Sequence, residues 1–239
     1  MTSALDTLKI IVGKRWPLIL GLFVLEIALI LGVSSLPFFP SELNTYENQY
    51  SNLAPVLNAS APNQVGAIFS NNLRVSVVEL VPALGLGIFG LSLYETARVL
   101  EAIAAIKGFS VAFALANLFL LPSTWLELPA YSVAAAESIY LTYNIYLGLK
   151  RGRAWFVREL RFLLVNIGLV AGMLIVAAVF EVAEIQIGSG PPETQGLAIL
   201  TWLPFALVLI VAIRFWRKAR QEAPILEHQD EPVAQFASP

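Results

Sequence analysis

Residues 17–39, "PLILGLFVLEIALILGVSSLPFF", hold a single ionisable group, Glu26, in 23 positions. A helix needs about 20 predominantly apolar residues to cross the hydrocarbon core of a bilayer. Lys14-Arg15-Trp16 precedes the run, and such a basic start is also how a secretory signal begins. This run is long, carries an acid and lacks a small-x-small cleavage site, so it reads as an uncleaved first span. Similar runs follow at 68–93, 125–149, 162–183 and 197–215, with a shorter one at 109–121. The chain is 57% hydrophobic and 13% charged, with a mean hydropathy of +0.72. A soluble domain carries about a quarter charged residues. The pattern predicts an all-α, multi-pass helix bundle of about six hydrophobic segments in the cell membrane, with the lipid bilayer as its first partner.

Residues 1–16 then form a cytoplasmic N-terminus and 17–218 the transmembrane domain. Within that domain, residues 40–66 are rich in Asn, Ser and Pro and read as an outer loop with at most a short helix. The tail, 219–239, has Pro, Gln and acids without periodicity and is expected to be disordered. With the N-terminus inside, 14 of the 15 basic residues, Arg98 and Lys107 among them, fall on the cytoplasmic side and Arg74 alone lies outward. That separation predicts an N-in, C-in topology.

The short run does not fit easily. About 13 residues at roughly 1.5 Å each reach about 20 Å, less than a core about 30 Å thick. It either thins the membrane or turns back within it. Re-entrant backbone needs protein or a wet cavity around it. Pro122, Ser123 and Thr124 suit the tip of such a hairpin, Pro by breaking the helix and the hydroxyls by capping the next one. Thr124 and Glu127 also have the T-x-x-E spacing of a capping box.

Two helical faces gather polar and small residues. At 100° per residue, Glu127, Ala130, Ala134, Glu137, Leu141, Asn144 and Gly148 share one stripe. Asn72, Ser76, Glu79, Ala83, Gly87, Gly90 and Tyr94 share another, with Pro82 expected to kink that helix. Such seams belong inside a bundle, where small side chains allow close approach and polar ones bond across helices. Asn117 and Asn166 are candidates to join them. No Lys or Arg is expected at the depth of these acids except Arg74, about a turn from Glu79. The seam reads either as a path for a proton, cation or polar substrate or as a hydrogen-bonded glue of acids and amides. Glu181 and Glu184, near an outer end, read as a solvated cap.

Other signals are weaker. "GLGIFG", 85–90, matches G-x-G-x-x-G but follows no strand, and helix packing explains it better. "KRGRAWFVRELR", 150–161, reads as a positive anchor, or as an interfacial helix with Trp155 and Phe156 dipping into lipid. Asn58-Ala-Ser60 is a glycosylation sequon in the outer loop. Cys is absent and the single His, His228, lies in the tail, which removes thiolate chemistry and His-based triads. The sequence thus suggests no catalytic residue, metal, cofactor or nucleic-acid partner.

"NNLRVSVVELVPALGLGIFG" (71–90) and "PSTWLELPA" (122–130) together resemble the stage II sporulation protein M family. Asn72 matches the family's Asn-led entry to a Gly-rich membrane helix. Pro122, Glu127, Pro129 and Ala130 match its Pro-His-Gly-x-x-Glu-x-Pro-Ala-type signature. The likeness covers about residues 65–185. It departs where Ser123-Thr124 replaces His-Gly and where an Asn-Gly is absent from "LYETARVLEA". The resemblance implies an α-helical membrane protein with the Glu127 motif at its heart. The family's namesake looks like a scaffold for peptidoglycan hydrolases.

Two functions follow as expectations. One is a non-enzymatic membrane scaffold or complex subunit with a membrane or extracytoplasmic protein partner, a homo-oligomer being a further option. The alternative is a transporter, channel or permease subunit using the Glu79/Glu127/Glu137 seam. A wet cavity past Glu79 and Glu127 would favour passage; a dry, closed seam would favour the scaffold.

Overall fold

A computed structural model describes residues 3–36, 42–43, 45–46, 55–56, 58–151, 153–188 and 196–230. Among them are eight main α-helices and no strand. They are α1 (Ala4–Lys14), α2 (Trp16–Val33), α3 (Ala61–Glu79), α4 (Gly85–Lys107), α5 (Val111–Leu120), α6 (Thr124–Arg151), α7 (Arg153–Gly188) and α8 (Trp202–Asp230). A 3-10 turn, Gly196–Thr201, precedes α8.

The helices are apolar on the outside. In α2 only Leu22, Glu26 and Ile30 are buried, one narrow stripe at a spacing of four. Leu20, Val24, Leu25 and Leu31 of the same helix are exposed, as are Leu203, Leu207, Ile210 and Val211 of α8. Large exposed apolar faces on a folded chain suit lipid rather than water. The segments Trp16–Val33, Glu159–Gly188 and Leu197–Leu226 are each long and apolar enough to cross a membrane. The bent pair α4 and α5 makes a fourth if counted as one span.

The centre of the bundle is α6. Residues 132–138, Ser-Val-Ala-Ala-Ala-Glu-Ser, are all buried, so neighbours approach this helix from every side. Small side chains permit that approach. Leu128, Ala135 and Ala136 pack with Leu22, Ile30, Phe89 and Leu93. Ala130, Val133 and Ala134 pack with Leu80, Val170 and Leu174.

Contacts along α6 set the direction of each neighbour. Arg15 meets Glu137 and Ser132 meets Glu26, so α2 runs antiparallel to α6. Asn144 meets Glu159 and Ser123 meets Glu184, so α7 is antiparallel too. Trp202 donates to the Leu120 carbonyl and Trp16 meets Trp216 edge to face, so α8 returns to the end where α1 and α2 join. The bundle therefore has a terminus end, with Arg15 and the far half of α8, and a loop end, with Glu42, Tyr46 and Ser123.

The second apolar run, 68–93, does not form one kinked span. It folds into a hairpin, α3 then α4, with its tip at 80–84. Pro82 supplies no N–H, and Ala83 takes a positive φ of 65°. The tip reaches α6 deep toward the terminus end. There Ser138 Oγ donates to the Val81 carbonyl at 2.8 Å, and the Ala83 N–H donates to Thr142 Oγ1 at 2.7 Å. Two hydroxyls on α6 thus satisfy the backbone groups that the broken helix frees, as a non-helical turn at membrane depth requires. Gly85 is fixed by the same contact: a Cβ there would lie 1.8 Å from the Glu79 carbonyl oxygen and 2.4 Å from Ser138 Oγ. Helix packing does explain the first glycine of "GLGIFG".

This hairpin changes the expected placement of two charges. Because α4 runs back toward the loop end, Arg98 binds Glu42 and Glu101 there, and Glu95 accepts from Tyr46 at 3.0 Å. Arg98, and Lys107 beyond it, lie at the loop end and not with the other basic residues. The short run is corrected with them: α5 turns 117° from α4 at Gly108–Ser110 and links two loop-end positions. It forms no arm of a hairpin entering from the terminus side.

The expected disordered tail is also corrected. Helix α8 continues to Asp230, and Ala219 and Ala223 are completely buried. Gly13 of α1 lies so close to them that a Cβ would sit 2.6 Å from the Ala219 carbonyl. Lys9 pairs with Glu222 at 2.8 Å, and that bond raises the Lys9 ammonium above its usual pKa. Ser3 caps α1 in a complete capping box with Asp6, whose carboxyl is lowered chiefly by the Ser3 hydroxyl. Residues 231–239 lie outside the described part, as do most of 40–57 and the side chains of 150–158, where Trp155 and Phe156 belong. Asn58 is described and exposed.

Candidate functional site

Each polar group of the α6 seam finds its partner on another helix. At the terminus end Glu137, 1% exposed, binds the Arg15 guanidinium and the Asn166 amide. Arg15 itself is 7% exposed and lies 4.3 Å over the Tyr140 ring and 4.9 Å over Phe162. By sequence Arg15 belongs to the cytoplasmic N-terminus, and no cation is expected at the depth of Glu137. The break between α1 and α2 falls at Arg15 and turns its side chain into the bundle instead. Asn144 Nδ2 donates to Glu159 at 2.6 Å about two turns further on. Midway, Ser132 Oγ donates to Glu26 at 2.8 Å.

Glu127 and its neighbours occupy the loop end. Glu127 Oε1 accepts from Asn72 Nδ2 at 3.0 Å and from the Tyr131 hydroxyl at 2.8 Å. The capping box expected of Thr124 and Glu127 is absent. Thr124 Oγ1 donates backwards to the Leu118 carbonyl at 2.8 Å. The acid that caps α6 comes from α7: Glu184 accepts the Ser123 hydroxyl at 2.6 Å and the Ser123 N–H at 3.3 Å. Glu184 is therefore buried in a structural bond and is not a solvated end group. Buried Pro122 shapes the turn into α6, and Pro129 lies within its second turn. Asn117 takes no part in the seam; it is exposed and donates to the Phe113 carbonyl of its own helix at 3.0 Å.

The α3 stripe survives only to the hairpin tip. Asn72, Ser76 and Glu79 are buried, whereas Ala83, Gly87 and Tyr94 are exposed beyond the break. Glu79 is completely buried, and neither carboxyl oxygen has a hydrogen-bond partner among the described residues. Arg74 is exposed and does not reach it. Ser92 lies beside Glu79, but its hydroxyl donates to the Ile88 carbonyl at 2.9 Å. Glu26 is within electrostatic reach of both Glu79 and Glu127.

A cavity of about 530 Å³ opens between the α3–α4 hairpin and α6. Its polar lining includes Asn72, Ser92, Glu95, Thr96, Glu127 and Tyr131; most of the remainder is aliphatic, such as Val75, Leu91, Val99 and Leu100. Glu79 and Glu137 do not line it. Among the described residues no group of three or more acids, His or Cys is arranged to hold a metal ion.

The fold and these ties define an all-α helical bundle of membrane type, with three to four spans long and apolar enough by themselves to cross. Compared with family models, curated proteins and solved structures, the chain matches none.

Proposed function

We propose that the chain is a multi-pass protein of the cell membrane, with both termini in the cytoplasm, acting as a non-enzymatic scaffold or complex subunit. In this reading α2, α3, α4, α6, α7 and α8 are the six crossing elements, and the terminus end, rich in Lys and Arg, is the cytoplasmic one. The observation that carries it is the pairing of the α6 seam. Glu26, Glu137, Asn144 and Ser123 are buried, and each bonds a residue of another helix or accepts from one. That is how polar groups hold helices together where no water competes. The resemblance to the stage II sporulation protein M family belongs to the same proposal and rests on the motifs at 71–90 and 122–130. Affinity purification from native membrane after mild crosslinking tests it. A protein partner in fixed ratio is the expected result; a chain recovered only by itself would count against the scaffold.

A second reading, a transporter or permease subunit, is favoured by the cavity that reaches Glu127. The cavity stops short of Glu79 and Glu137, so passage along the whole seam would require the α3–α4 hairpin to move. Flux of protons or cations into vesicles containing the purified chain is its test.

A further inference from the structure

The cavity beside Glu127 has an unusual balance of charge. Glu127 and Glu95 line it, and Glu79 lies behind Ser92 at its inner wall. Glu26 stands within reach of Glu79 and Glu127, and Glu181 within reach of Glu127. The buried cations are committed elsewhere. Arg15 is held by Glu137, and Arg98 is shared between Glu42 and Glu101. Among the described residues no Lys or Arg lines the cavity. Glu127 Oε1 accepts from two neutral donors, Asn72 and Tyr131, and no cation holds this carboxyl among the described residues. Behind it Glu79 is fully buried with both oxygens unpartnered among the described residues.

The walls decide what kind of cation fits. A hydrated inorganic ion needs a shell of oxygens; here polar residues of α3, α4 and α6 share the lining with the aliphatic Val75, Leu91, Val99, Leu100 and Ile103, so any guest also meets hydrocarbon. A volume of about 530 Å³ is within the range of small-molecule pockets. Aliphatic walls beside two acids, with no lining cation among the described residues, recognise an amphiphilic cation: the walls take its hydrocarbon, and the Glu127 carboxyl takes its head. We propose that this cavity binds an amphiphilic organic cation, an ammonium group on an apolar body, with the ammonium at Glu127. The site goes beyond the scaffold reading and does not depend on it. The ammonium could belong to a membrane lipid headgroup or to a free amine.

The full chain in lipid nanodiscs provides the test, with 4-phenylbutylammonium and the neutral 4-phenylbutanol as probes. The amine should bind at least tenfold more tightly than the alcohol. Glu127→Gln keeps an acceptor for Asn72 and Tyr131, so it should abolish that preference and leave alcohol binding unchanged. Leu100→Trp, which fills the cavity and leaves every acid in the chain, should weaken both probes at least tenfold. Equal affinity for the two probes in the wild type would overturn the proposal, as would an intact preference in Glu127→Gln or undiminished amine binding in Leu100→Trp. Native mass spectrometry with ethanolamine- and glycerol-headgroup lipids then separates the sources. Selective retention of the ethanolamine lipid, lost in Glu127→Gln, supports the lipid; amine selectivity without such retention supports a free amine.

Discussion

The three glycines of 85–90 look equivalent in sequence and should behave differently. At Gly85 an added Cβ would meet the Glu79 carbonyl at 1.8 Å and Ser138 Oγ at 2.4 Å, whereas at Gly87 and Gly90 nothing lies within 4 Å. The obstacles are the Glu79 backbone within the hairpin and Ser138 on α6, so Gly85→Ala must both open the α3–α4 tip and shift it from α6 by about 1 Å or more to restore ordinary contact. Overpacking of this kind costs about 1–3 kcal/mol. The same displacement strains the hydroxyl bonds from α6 to Val81 and Ala83, each worth about 1 kcal/mol. The expected loss for Gly85→Ala is therefore about 2–4 kcal/mol. Gly87→Ala and Gly90→Ala lie in open helix and should be neutral or gain up to about 1 kcal/mol from helix propensity. Unfolding in mixed micelles, followed by circular dichroism, measures all three. If Gly85→Ala is neutral, or if the other two lose as much as it does, the hairpin tip is not packed on Ser138 as described.

Arg15→Met strands the buried Glu137 and should cost about 3–5 kcal/mol in the same assay, with most of the loss recovered when Glu137→Gln is added; additive losses would deny the pair. Cysteines at Ser51, Lys107 and Ser189 should label from outside intact cells and one at Ala234 only after permeabilisation; labelling of Lys107 with Ala234 would reject the placement of the α3–α4 hairpin. Truncation after Lys218 removes the surface on which α1 docks, so protease should then cut within residues 4–14 at least tenfold faster, and an unchanged rate would show that α1 is held by α7 alone.

Much of the helix inventory was legible because apolar length is a local property. The run 17–39 and the α6 stripe each declare themselves within one segment, and Ala130, Ala134, Glu137 and Asn144 are buried as their periodicity implies. Proline signals were legible too, since Pro82 and Pro122 each fall at a break. Partners were not legible. Arg15 is a boundary charge by sequence, and only the turn between α1 and α2 delivers it to Glu137, 122 positions away. Glu184 replaces Glu127 as the acid at the α6 start because α7 brings it there, while Glu127 is drawn to Asn72 and Tyr131.

The sequence by itself determined the solvent: too few charges and too many long apolar runs for a water-facing surface. It also determined that acids would sit among small residues inside a bundle. The tertiary structure alone decided whether the run 68–93 crosses once or doubles back, which acid meets which cation, and that the tail folds against α1. The physical reason is that hydrophobicity is paid residue by residue along the chain, whereas a hydrogen bond or an ion pair needs two groups that only packing brings together.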